Sequence, residues 1–182
     1  MGTTAQYVLL PSSFKFNFDS PAALTNPVPY YPWQWRYFGR FMFGSDLIRY
    51  SVSKAATIIL VQELQRQLDR QDLPIVCIAV HLGETATGGF FAVNTAPVRL
   101  VARLTFLTPE QGAVNPLFAA TATEVRRDFD KYKGQFILPI GKIGTTNPVT
   151  EDDAQVKGLW DNTTEEVNRQ LLAHGLPLLE VW

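Results

Sequence analysis

The 182-residue sequence is poor in cysteine and histidine, and it contains no long uninterrupted apolar run. A single cysteine, Cys77, excludes an intrachain disulfide. Set in an apolar stretch, it reads as an inert core thiol in a reducing compartment, so a cytoplasmic location is expected. His81 and His174 stand without cysteine or carboxylate partners at metal-ligand spacing, so both read as structural and no metal is expected. No segment is apolar for long enough to span a membrane, and no charged-then-apolar leader opens the chain. Met1-Gly2 begins like a myristoylation signal, but Gln6 occupies the position where that signal needs serine or threonine. A formal net charge of -1 gives no electrostatic case for nucleic acid or an anionic membrane as partner. Asn162-Thr163-Thr164 is a glycosylation sequon only in form if the chain is cytosolic.

What is present suits a packed domain. With 46% hydrophobic and 18% charged residues the chain can bury a core, and residues 1–182 read as a single domain without repeats, low-complexity tracts or a clear linker. Tyr7-Val8-Leu9-Leu10 reads as a short apolar strand running into Pro11-Ser12-Ser13. From Leu47 to Leu68, apolar residues at Ile48, Val52, Ala55, Ile58, Ile59, Val61, Leu64 and Leu68 give a helix with a broad buried face. Ile75 to Val80 is a continuous apolar run after Pro74, as a strand covered on both faces requires, and the loop His81-Leu82-Gly83-Glu84-Thr85-Ala86-Thr87 follows. Thr108 and Gln111 form a capping box with Pro109 at the first helical position, predicting a helix to about Thr121. Lys133 to Ile140 offers another strand. Glu151 to Ala173 predicts a solvated amphipathic helix with Val156, Leu159, Trp160, Val167, Leu171 and Leu172 inward.

The chemistry-bearing motif lies at the start of the long helix. Tyr50-Ser51-Val52-Ser53-Lys54 places a phenol and an ammonium one turn apart on one face. A cation held near a phenol of ordinary pKa about 10 favours the phenolate and predicts a Tyr50 tuned downward for proton transfer.

Strand, serine, long loop, Tyr-x-x-x-Lys helix, buried strand and Gly/Thr loop together resemble the C-terminal half of a short-chain dehydrogenase/reductase, closest to its retinol-dehydrogenase-like and fungal members. The resemblance continues through Thr108–Ala113, Phe118–Thr121, Tyr132–Phe136 and Gly158–Trp160, and covers most of the chain. It implies catalytic roles for Ser13, Tyr50 and Lys54. It also implies contacts from Tyr50, Lys54, Thr85 and Thr87 to a cofactor, NADP or NAD, and an apolar small molecule of secondary metabolism as substrate. His81-Leu82-Gly83 departs from the family's usual His-Pro-Gly at Leu82. The implied fold is α/β, the C-terminal half of a Rossmann-like parallel sheet, about three strands flanked by helices. No G-x-x-x-G-x-G or G-x-G-x-x-G turn occurs, so the turn that seats a cofactor pyrophosphate is lacking and the chain reads as an N-terminally truncated, partial domain.

Truncation would leave the Ser13 strand with an unpaired edge, to be covered by the chain's own aromatic segment, a second subunit or a complementing N-terminal half. That segment, Pro29 to Phe43, either packs the edge or lines an apolar cleft in which Arg36 and Arg40 hold a carboxylate; base stacking on nucleic acid is a third, weaker option. Three functions stay open on this reading: an NAD(P)-dependent oxidoreductase, a non-redox acid/base catalyst such as a cyclase, isomerase or dehydratase, and an inactive remnant. The sequence leaves oligomeric state and the NAD/NADP choice undecided.

Overall fold

The computed structural model describes residues 2–4, 15–28, 37 and 47–179. Among them the chain forms a sheet in the order β1 (Gly2–Thr4), β2 (Ile78–Val80), β3 (Phe136–Leu138) and β4 (Lys142–Ile143). The first three strands run parallel, with Thr3 opposite Ala79 and Val80 opposite Ile137. The α/β class and the three parallel strands agree with the sequence reading. β4 is an addition: it returns antiparallel to β3 through a turn at Gly141, whose φ of 67° is left-handed.

Strand positions are narrower than the apolar runs that announce them. The strand expected at Tyr7–Leu10, like Ser13, Arg36 and Arg40, lies outside the described residues, and the described strand that pairs with β2 is at Gly2–Thr4. Ile75 does not enter β2; its amide bonds to the Leu73 carbonyl at 2.8 Å in a turn and its side chain is exposed. Alternation through β2 shows why the run is uniformly apolar. Cys77 and Ala79 face helix α1 (Leu47–Arg70), where Ile58, Val61 and Leu68 meet them with Phe136. Ile78 and Val80 face the opposite layer, with Ile137, Val125 and Tyr132.

Helix α1 is the centre of the molecule. One side lies on the sheet, and the other buries Ile48, Val52, Ala55 and Ile59 against Phe16, Phe18, Val28 and the last long helix. Each of the larger of these side chains, Ile48, Val52 and Ile59, contributes about 1.5–3 kcal/mol of hydrophobic stabilisation when fully buried. A buried amide joins this helix to the sheet: Gln65 accepts from the Cys77 amide at 2.7 Å and donates to the Ile75 carbonyl at 3.1 Å. Cys77 is buried as expected, and burial pushes its thiol up, away from a reactive thiolate.

Two short helices not anticipated from the sequence follow β2: α2 (Gly88–Val93) and α3 (Ala96–Thr105). Helix α4 (Pro109–Thr121) then covers the face of β1 and β2, with both arms of the Thr108/Gln111 capping box in place at 3.3 and 2.9 Å. Short helices α5 (Thr123–Arg127) and α6 (Phe129–Tyr132) lead into β3. Asp128 stands at that junction without a side-chain cap, and Asp130 pairs with Lys133 at 3.1 Å.

The last long helix, α7 (Asp153–Ala173), starts after a 3-10 turn at Pro148–Glu151. Val156 and Leu159 are buried, and Trp160 and Leu171 half-buried, but Val167 and Leu172 are exposed, correcting the expected inward face. The helix touches α1 and residues 15–28 through its first turns and continues beyond that core. Gly158 permits the contact, since a Cβ there would lie 2.9 Å from the Phe18 carbonyl oxygen. Asn162, the sequon asparagine, donates to the same carbonyl at 3.0 Å and so serves this packing.

Candidate active site

In an open α/β sheet, ligands bind where the parallel strands end. At the ends of β2 and β3 the chain places His81 and the loop to Thr87, with the first turns of α1 beside it. The His81 amide donates to the Ile137 carbonyl at 2.9 Å, and its Nδ1 accepts from the Gly83 amide at 2.7 Å. Its ring meets Phe136 edge to face, centroids 6.2 Å apart. His81 thus shapes the loop. Gly83 has φ of 82°, a left-handed conformation that favours glycine, and its bare Cα lets the Leu107 side chain pack close, 2.6 Å from where a Cβ would stand.

Leu107 closes the loop on itself. Its amide donates to Glu84 at 2.7 Å, the Ala86 amide returns a bond to the Leu107 carbonyl at 2.9 Å, and Thr85 forms a parallel bridge with Leu107. Thr85 is buried, donates to the Gly83 carbonyl at 3.2 Å and lies against Gly112. Thr87 caps α2, accepting from the Phe90 amide at 3.2 Å. Both hydroxyls expected to contact a cofactor therefore hold the loop in this structure.

Tyr50 and Lys54 meet as their spacing predicts. The Lys54 ammonium stands 5.4 Å from the centroid of the Tyr50 ring, a cation over the aromatic face. The expected downward shift of the phenol does not follow. Tyr50 is held above its ordinary pKa, first by partial burial and second by the negative charge of Glu84 across the loop. The phenol thus keeps its proton near pH 7, the form a general acid needs, although the upward shift makes it a weaker acid than a free tyrosine.

A residue that sequence reading passed over ties the site together. Asn115, on α4 and 1% exposed, donates to the His81 carbonyl at 2.7 Å and the Ile137 carbonyl at 3.3 Å, and its Oδ1 accepts from the Gly141 amide at 3.0 Å. One amide thus clamps the ends of two adjacent strands. Its signal in the sequence is an amide inside an otherwise apolar helical stretch, where a polar side chain needs buried partners.

Of the residues expected to meet a cofactor, the structure brings together Tyr50 and Lys54, while the Thr85 and Thr87 hydroxyls are engaged within the loop. For a pyrophosphate, by contrast, the sequence offers no glycine-rich turn. Among the described residues no group of three or more His, Cys, Asp or Glu side chains comes together to hold a metal, and no helix is long and apolar enough to cross a membrane.

Comparison with known proteins gives relatives of one kind. The short chain dehydrogenase/reductase dpfgH of Gibberella zeae is 31% identical over 82% of this chain and 41% of its own length. The short chain dehydrogenase/reductase dpmpH of Macrophomina phaseolina is 34% identical over 68% of this chain and 60% of its own. The corresponding protein dpchH of Colletotrichum higginsianum is 32% identical over 65% of this chain and 30% of its own. The chain thus spans between about a third and three fifths of the length of these curated relatives. No family model and no solved structure matches it.

Proposed function

The chain belongs to the short-chain dehydrogenase/reductase family, and from that premise we propose that it carries the proton-transfer half of an NAD(P)-dependent oxidoreductase acting on an apolar alcohol or carbonyl compound. The observation that carries this reading is the Lys54 ammonium over the Tyr50 ring, on the helix that flanks the C-terminal end of the sheet. Residues 1–182 are then a partial domain. Its complement, a segment of the kind the relatives have beyond the matched region, would supply the pyrophosphate seat.

In this reading Tyr50 donates its proton to the substrate oxygen as an alkoxide develops, and burial and Glu84 keep the phenol in the protonated form that this step starts from. Lys54 would hold the ribose hydroxyls and offset negative charge left on the phenolate. Ser13, outside the described residues, would hydrogen-bond the substrate oxygen in the role the family resemblance gives it. Thr85 and Thr87 shape the nicotinamide side. The cofactor, when bound, supplies or accepts the hydride. Asn115 positions the loop without touching substrate.

A second reading follows from the neutral phenol and the missing glycine-rich turn: Tyr50 acting as an acid in a non-redox reaction. Titration with NADPH and NADH separates the two. The chain joined behind the N-terminal region of the Gibberella relative should bind one of them, with Lys54→Ala weakening the binding. No binding by either form of the chain would rule out the redox reading and leave the cofactor-free one.

A further inference from the structure

Between Glu84 and Glu110 the chain contains no aspartate or glutamate, while it contains Arg99 and Arg103. This stretch is the helical lobe α2–α3, a closed excursion whose ends are pinned by the Thr85–Leu107 bridge. Inside, Phe90 packs on Phe106 with centroids 5.0 Å apart, and Ala102 is buried. Outside, the pattern is inverted relative to an ordinary surface helix. Leu100 is 61% exposed, Val101 58% and Leu104 79%, and with Pro97 they fall at i, i+3, i+4 and i+7, an apolar stripe facing water. Arg99 and Arg103 sit off that stripe, the first donating to the Asn94 carbonyl at 2.7 Å and the second 5.7 Å from the Phe91 centroid.

Scattered exposed apolar residues need no explanation, but an ordered stripe does. We propose that α3 is an interfacial helix that docks this lobe on an anionic lipid surface. The stripe enters the acyl boundary and the arginines lie level with the phosphates, the arrangement such helices use. A net charge of -1 is no obstacle, because the lobe itself carries no acid; the nearest in sequence, Glu84 and Glu110, lie at its base and not on the α3 stripe. A second copy or another polypeptide would satisfy the stripe equally, but neither accounts for a segment that joins arginines to the stripe and excludes acids. If the oxidoreductase reading holds, docking would also bring the Thr85 loop to a surface where apolar alcohols and carbonyl compounds concentrate.

The test is flotation of the full chain with vesicles of phosphatidylcholine mixed with phosphatidylserine, against phosphatidylcholine alone; flotation rather than pelleting keeps aggregates out of the signal. The chain should float with the mixed vesicles and less with the neutral ones. Leu100→Ser with Leu104→Ser should lower binding by at least about tenfold, from the apolar area lost. Arg99→Gln with Arg103→Gln should lower it by up to about thirty-fold at low salt, and the double lysine variant should keep it. Unaltered circular dichroism would show that the exposed substitutions leave the fold intact. No flotation, equal flotation with both vesicles, or leucine variants that float like the parent would overturn the proposal. So would loss of flotation when the N-terminal region of the Gibberella relative is attached, or a dimer that the leucine variants abolish in a chain that ignores vesicles.

Discussion

Replacing Asn115 by alanine removes a buried amide that serves three backbone groups at the strand ends, and its cost follows from their surroundings. The His81 carbonyl loses a 2.7 Å donor in a buried setting, whereas the Ile137 carbonyl keeps the His81 amide at 2.9 Å. Gly141, half-buried, can exchange its 3.0 Å bond for water. A buried backbone group stripped of its partner costs about 1–3 kcal/mol, and the partly solvated one less. Adding a small cavity, Asn115→Ala should cost about 3 kcal/mol. For a chain of 182 residues this is a fall of roughly 6–12 °C in Tm, read by circular dichroism and cross-checked by urea unfolding. Asn115→Asp is the control: it keeps the size but sets a carboxylate against the His81 carbonyl. It should be as unstable as alanine at neutral pH and partly recover in acid, where the protonated group can donate. A loss below about 1 kcal/mol in the alanine variant would show that the clamp is not structural.

Gly112→Ala should destabilise by about 1–2 kcal/mol despite alanine's better helix propensity, because the new Cβ would lie 2.5 Å from Thr85 Oγ1; a Tm at or above the parent's refutes this. Glu84→Gln removes the second cause that raises the Tyr50 phenol, so the pH profile should move down: reduction should fail at lower pH, and oxidation, which needs the phenolate, should begin at lower pH. An unmoved profile would deny Glu84 that influence. Hydrogen exchange should be faster at Gly2–Thr4 than in β2 or β3, because β1 is the outermost of the described strands, and should slow when a strand-bearing complement is attached. No slowing would argue against that docking.

Where local chemistry decides structure, the sequence was readable. The capping box at Thr108 and Gln111, the apolar period of α1 and the buried runs of β2 and β3 each rest on residues close together in the chain. The α2–α3 lobe was not legible because Gly88-Gly89 and Pro97 lower its helical propensity, and because its apolar stripe points away from the described core. Leu172 read as inward because its helical period continues past the part of α7 that has anything to pack on. The Tyr50/Lys54 pair was legible as a spacing. The direction of the phenol's shift was not, since burial and Glu84 reach Tyr50 only through tertiary structure. Asn115 belongs with these, because its partners come from β2, β3 and the turn into β4.

The most direct measurement is turnover of a panel of apolar ketones and aldehydes, comparing the chain joined to the relative's N-terminal region with its Tyr50→Phe variant. Loss of the phenolic proton should lower kcat by about 10²–10⁴-fold while cofactor binding and Tm stay close to the parent's. A Tyr50→Phe variant that turns over as fast as the parent would contradict the assignment of Tyr50 as the proton donor.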